Sequence, residues 1–154
     1  MNNQFYDDLK RGEVGENFFY EAMARKGIAL TDARNDESAR RRDIDFFTRT
    51  GKGVEVKTDY TAEYTGNLFI ETYNTHNPSR GYAGWFFYTQ AERLAFVLPN
   101  KGQIYVVDTA ALRAYVSKHA LRKVYVNDGN QGYILPIREL EQWSEGVEYY
   151  EEAV

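Results

Sequence analysis

From Asp43 to Lys57 the chain sets charged and apolar side chains in alternation around Gly51-Lys52-Gly53, and this constrains the fold more than any other stretch. Side chains two apart on a strand share a face. Asp43 and Asp45 therefore project together, as do Glu55 and Lys57, while Ile44, Phe46, Val54 and Val56 fill the opposite side. Two short β-prone runs around a Gly-x-Gly turn predict a β-hairpin. If Phe47 lies across from Glu55, Asp45 lies across from Lys57; a register shifted by two residues puts Asp45 opposite Glu55. In either register a carboxylate from each strand and one amine converge.

Upstream, Val14, Phe18 and Ala22, with Phe19 and Met23, form i,i+4 rows that predict an amphipathic helix ending at Gly27, with Glu16 on the flank of its buried stripe. The polar, arginine-rich stretch Arg34 to Arg42 reads as loop. Downstream, strands are predicted at Asn67 to Glu71, Trp85 to Tyr88, Leu94 to Leu98 and Gln103 to Val107, the last two joined by Pro99-Asn100-Lys101-Gly102. Thr109 reads as the N-cap of a helix through about His119. Strands at Val124 to Asn127 and Tyr133 to Leu135 flank an Asp128-Gly129 turn, before a short helix near Glu139 to Trp143. The expected fold is α/β: one domain over residues 1–154, with a mixed central β-sheet flanked by helices.

Composition supports a single globular domain: 43% of residues are hydrophobic, 27% are charged and none is cysteine. The last fact excludes disulfides, thiolate metal sites and cysteine nucleophiles. Met1-Asn2-Asn3-Gln4 lacks a signal-peptide pattern and no apolar run reaches membrane-spanning length, so a cytoplasmic protein without a membrane partner is expected. The net charge of −4 argues at first against a nucleic-acid partner. However, residues 139–154 hold six glutamates and no Lys or Arg, which leaves 17 acidic and 19 basic residues, or +2, on the remainder.

Two or three carboxylates in an open arrangement are hard oxygen ligands suited to Mg²⁺, which keeps waters and accepts phosphate oxygens. A neighbouring lysine can orient or deprotonate the attacking water and offset charge on the phosphorus. Asp45, a hairpin, then Glu55-Val56-Lys57 resembles the D…(D/E)xK motif of the PD-(D/E)xK nuclease superfamily, with Ile44 where the motif has proline. Gly15-Glu16 in the preceding helix resembles the glutamate that many members carry there. Thr65 to Glu71, Ser79-Arg80-Gly81 and Thr89-Gln90-Ala91-Glu92 resemble a bacteriophage-type branch of small nucleases. The resemblance covers residues 12 to 92 and implies a restriction-endonuclease-like core, close to Holliday-junction resolvases. It further implies Asp45 and Glu55 as ligands of Mg²⁺ (or Mn²⁺ in its place), Lys57 as the catalytic lysine and Glu16 as a further ligand or water-positioning group.

Other residues are weaker candidates. Asp43 competes with Asp45 as the ligand. Glu71, at a strand end, could support the metal or simply face water. His76 and Arg80 lie in a loop that could reach a phosphate, although a loop histidine is most often only that. Arg40, Arg41 and Arg42 precede the presumed metal strand and read equally as phosphate contacts or as a solvated run paired with Asp36, Glu37 and Asp43. Tyr60, Tyr64, Tyr73, Tyr82 and Trp85 could stack on unpaired bases, but aromatic residues also favour strands and cores.

The leading expectation is a Mg²⁺-dependent DNA endonuclease acting on duplex or branched DNA, with a homodimer compatible with cutting both strands. The alternative is a catalytically inactive nuclease-like DNA-binding or assembly module. A two-carboxylate glycosidase fits less well, because a lysine adjoins the carboxylates.

Overall fold

The computed structural model describes residues 3–126 and 128–154; Asn127, the expected end of a strand, lies outside the described residues. The N-terminal half comprises α1 (Asn3–Arg25), β1 (Leu30–Asp32), α2 (Glu37–Arg41), β2 (Phe46–Thr48), β3 (Gly53–Thr58), α3 (Ala62–Thr65) and β4 (Asn67–Tyr73). The C-terminal half comprises α4 (Trp85–Tyr88), β5 (Arg93–Leu98), β6 (Gln103–Asp108), α5 (Thr109–Lys118), β7 (Arg122–Tyr125), β8 (Gln131–Pro136), α6 (Ile137–Leu140) and β9 (Val147–Glu151). The fold is α/β, as expected. A six-stranded sheet has the order β1-β2-β3-β5-β6-β9, and a three-stranded sheet the order β4-β8-β7. The larger sheet is mixed: β3 and β5 run parallel and its other pairs run antiparallel.

The larger sheet is covered on both sides, which explains why β5 and β6 are nearly continuous apolar runs rather than alternating ones. On one side Phe19, Ala22 and Met23 of α1 pack on Phe46, Val54, Val56, Ala95 and Val97. On the other, Leu94, Phe96, Leu98 and Val107 pack on Leu68, Ile70 and Leu135 of the smaller sheet and on Phe86, Leu112 and Leu140 of the helices. Glu55 and Lys57 neighbour Leu94 and Phe96 in the parallel register and so share this second side. A carboxylate on a strand covered on both faces has little access to water, and Glu55 is 5% exposed.

Several expectations change. Val14 is half exposed, and the buried helix row runs through Gly15, Phe19 and Met23 instead. Within the stretch read as loop, Asp36 caps α2 by accepting from the Ala39 N–H at 2.8 Å, and the Ala39 side chain is fully buried. Trp85 to Tyr88 is a helical turn rather than a strand. The α5 cap is Asp108, which accepts from the Ala111 N–H at 2.9 Å, so Thr109 is the first helical residue. The helix expected near Glu139 to Trp143 is α6, which ends at Leu140.

The acidic C-terminal segment is an integral part of the sheet. Its β9 lies antiparallel to β6 at the sheet edge. Glu152 lies 3.1 Å from both Arg25 and Lys26, and Glu148 lies 3.3 Å from Arg93. These pairs offset basic charge at the end of α1 and on β5. Among the described residues no helix is long and apolar enough to cross a membrane.

Candidate active site

The β2–β3 pairing sets Phe46 opposite Val54 and Phe47 opposite Gly53. Asp45, whose N–H donates to Val54 O at 2.8 Å, therefore stands opposite Glu55, the second of the two registers that the sequence allows. Pairing ends there. The Ile44 N–H turns to Ala39 O at 2.9 Å, and the Ile44 side chain packs with Ala33, Ala39 and Ala91. In place of a further ladder bond, Asp45 Oδ2 accepts from the Val56 N–H at 2.8 Å. The carboxyl is thus pinned where the β2–β3 pairing ends, between the α1 side and the Lys57 side.

Glu16 reaches the same point from α1. A Cβ on the preceding residue, Gly15, would stand 1.7 Å from Thr58 Oγ1, so only glycine lets the helix lie this close to β3. Glu16 and Asp45 line one groove, and each carboxyl shifts the proton affinity of the other. Burial pushes Asp45 up to about 7, with Glu16 adding to the rise while the Val56 N–H and Lys57 oppose it. Burial also raises Glu16, although its contact with Asp45 and the charge of Arg34 oppose the rise.

Arg34 is a residue that the sequence reading missed. Its Nε and Nη2 hold Asp32 at 3.0 and 2.7 Å, and its Nη1 donates to Asn17 Oδ1 at 2.7 Å. With Arg40, Glu16 and Asp45 it lines a groove of about 680 Å³. The Asp32-x-Arg34 spacing, with both residues on one face of an extended chain, was the available signal.

Lys57 Nζ donates to Glu55 Oε1 at 2.6 Å, whereas Glu55 Oε2 is buried without a hydrogen-bond partner among the described residues. Burial raises the Glu55 carboxyl to about 6 despite the ammonium beside it. For Lys57 burial acts downward, but Glu55, with Asp43 and Asp45, more than reverses it and leaves the pKa raised. Lys57 is therefore a cation at neutral pH, suited to balancing negative charge and unsuited to removing a proton from water.

The remaining candidates separate. Asp43 does not share a strand face with Asp45: it sits before β2 in the left-handed region at φ 55°, a conformation that aspartate tolerates better than most residues. Both of its oxygens accept from Arg80 Nη1 at 3.0 Å, and the Arg80 guanidinium lies 3.5 Å over the Tyr88 ring. Arg41 pairs with Glu37 at 2.5 Å, and Arg42 donates to Ser38 O at 3.3 Å, which leaves Arg40 as the member of that run in the groove. Glu71 accepts from Asn74 Nδ2 at 3.2 Å and holds its own turn. His76 is exposed, with its ring 3.6 Å from Asp128. His119 stacks on Tyr115.

Among the described residues no three carboxylate or imidazole groups form a ready-made cage, and Glu55 turns to Lys57. The donor set nevertheless fits a divalent cation. Neighbouring carboxyls that burial makes reluctant to ionise and, among the described residues, a buried Glu55 oxygen without a hydrogen-bond partner are arrangements that a hard cation relieves by displacing protons and occupying the lone pair. Compared with known proteins, the chain matches no family model and no curated sequence.

Proposed function

We propose that the chain is a metal-dependent endonuclease that hydrolyses DNA phosphodiester bonds at the end of the β2–β3 hairpin, on a restriction-endonuclease-like core. The observation that carries this reading is the meeting of Glu16 and Asp45 beside Glu55 and Lys57, which brings a helix residue to the end of a hairpin some thirty residues downstream. Three carboxylates with raised proton affinity and one held ammonium are an unstable grouping without counter-charge, and phosphodiester hydrolysis is a reaction that needs them together.

Asp45 and Glu55 would hold the ion, Mg²⁺ or Mn²⁺. When bound, the ion supplies positive charge against the phosphoryl oxygens and lowers the pKa of a water. Glu16 would orient the attacking water and accept its proton. Lys57, anchored by Glu55, balances the charge that grows on the phosphoryl oxygens as the P–O bond to the leaving strand breaks. Arg34 and Arg40 are the cations of an adjoining groove that also carries Asp8, Glu13 and Asp32, and they would be its contacts to the phosphates of a nucleic acid.

Supercoiled, linear and branched DNA, each incubated with Mg²⁺ or with EDTA, tests this reading. Cleavage in Mg²⁺ alone supports it; intact DNA throughout overturns it and leaves the non-catalytic binding module.

A further inference from the structure

Lys57 borders two spaces. On the α1 side it adjoins the groove that contains Glu16. On the other side it stands at the mouth of a cavity of about 450 Å³, between the two sheets, whose walls include Phe69, Trp85, Phe96 and Ile134. Lys57 Nζ lies 5.1 Å over the Trp85 ring, and Trp85 packs on Phe96 at 5.9 Å. Arg122 of β7 is at the rim, and it enters no ion pair among the described residues.

We propose that this cavity receives one unpaired nucleobase of the strand whose phosphate lies at the carboxylates, so that the protein prefers bulged, branched or single-stranded DNA over intact duplex. The proposal rests on the nucleic-acid reading above and names its substrate class. The volume lies in the range of small-molecule pockets, about 300–1,000 Å³. Flat apolar walls with cations at the mouth suit a ring tethered to an anion, because every base has a π-face that stacks on aromatic side chains while its phosphates remain outside. Asp59 also borders the cavity, but its oxygens are engaged by the Ala62 and Phe69 N–H groups at 2.9 and 3.0 Å. Its carboxylate therefore serves to join α3 and β4 rather than to repel the strand. Asn67 offers an amide to the edge of the base. A base stacked inside a duplex has neither face free and reaches such a cavity only when unpaired or extruded.

Fluorescence anisotropy in EDTA, with a labelled duplex carrying a single-nucleotide bulge and its fully paired counterpart, reads binding without cleavage. The wild type is expected to favour the bulge by about 10-fold, the scale of one base–aromatic stack. Phe69→Ala, which removes a wall, and Ile134→Trp, which fills the cavity, should each bring the ratio to about one while circular dichroism still shows a folded chain. Equal binding of both DNAs by the wild type, binding of neither, or a bulge preference that survives in both folded variants overturns the proposal. A preference that depends on the cavity, in a protein that cuts no DNA in Mg²⁺, supports the pocket and removes the nuclease reading alone.

Discussion

The carboxyl of Glu16 meets that of Asp45 at the end of the β2–β3 pairing, one carried by α1 and the other held by the Val56 N–H. This contact makes the stability of the protein depend on pH and, under the proposed function, on metal. The Asp45 pKa of about 7 lies above its ordinary value of 3.8, so the folded chain binds the proton more tightly than the unfolded chain does. The resulting contribution to stability is fully present below about pH 4 and is lost as pH rises through about 7. Glu55, at about 6, acts with the same sign. In EDTA the melting temperature is expected to fall between pH 5 and pH 8. Mn²⁺ should raise it more at pH 8 than at pH 5.5, because the ion competes with those protons. Differential scanning fluorimetry reads both; a larger metal effect at low pH contradicts the assignment.

Asp45→Asn removes the charge but keeps an oxygen for the Val56 N–H. The metal-free variant should melt above the wild type at pH 8 and match it more closely at pH 5, and it should lose the Mn²⁺-dependent rise. Loss of stability at pH 8 would mean that Asp45 is a structural carboxylate.

Gly15 sets the spacing between α1 and β3. Alanine is ordinarily the better helix residue by roughly 1 kcal/mol, yet here its Cβ meets Thr58 Oγ1 at 1.7 Å and Thr58 Cβ at 2.8 Å. Gly15→Ala is therefore expected to cost about 1–3 kcal/mol in urea unfolding and to lower activity by moving Glu16 off Asp45. Adding Thr58→Ala should recover part of both losses, since Thr58 Oγ1 has no hydrogen-bond partner to forfeit.

The hairpin was legible because period-two alternation and a glycine turn both point to it, and positive φ at Gly51 is what that turn uses. The pairing of Glu55 with Lys57 followed from the same alternation. Alternation along the chain did not show that Asp43 leaves the strand, because its N–H closes the end of α2 on Arg40 O at 3.1 Å and its carboxylate turns to Arg80, 37 residues downstream. Nor could it separate Trp85 to Tyr88 from a strand, since four aromatic residues carry β propensity and only packing over β4 and β5 makes them helical. Arg34 stayed hidden in a polar stretch whose order comes from Asp32, Asn17 and the Asp36 cap.

Asp43 and Asp45 separate by function. With Arg80 on both of its oxygens, Asp43 is not free to hold an ion, so Asp43→Asn should lower cleavage less than 10-fold whereas Lys57→Ala lowers it by about 10²–10³. Initial rates on one plasmid substrate compare them. A deeper loss from Asp43→Asn than from Asp45→Asn would move the ion to the other carboxylate.

The most direct measurement pairs Mg²⁺-dependent nicking of supercoiled DNA with DNA binding in EDTA, for the wild type and for Asp45→Asn. The account predicts that the wild type nicks in Mg²⁺ and is silent in EDTA. It predicts that Asp45→Asn loses about 10²-fold or more of the rate while binding DNA at least as tightly. Equal nicking by the two proteins, or DNA binding with no nicking by either, would contradict it.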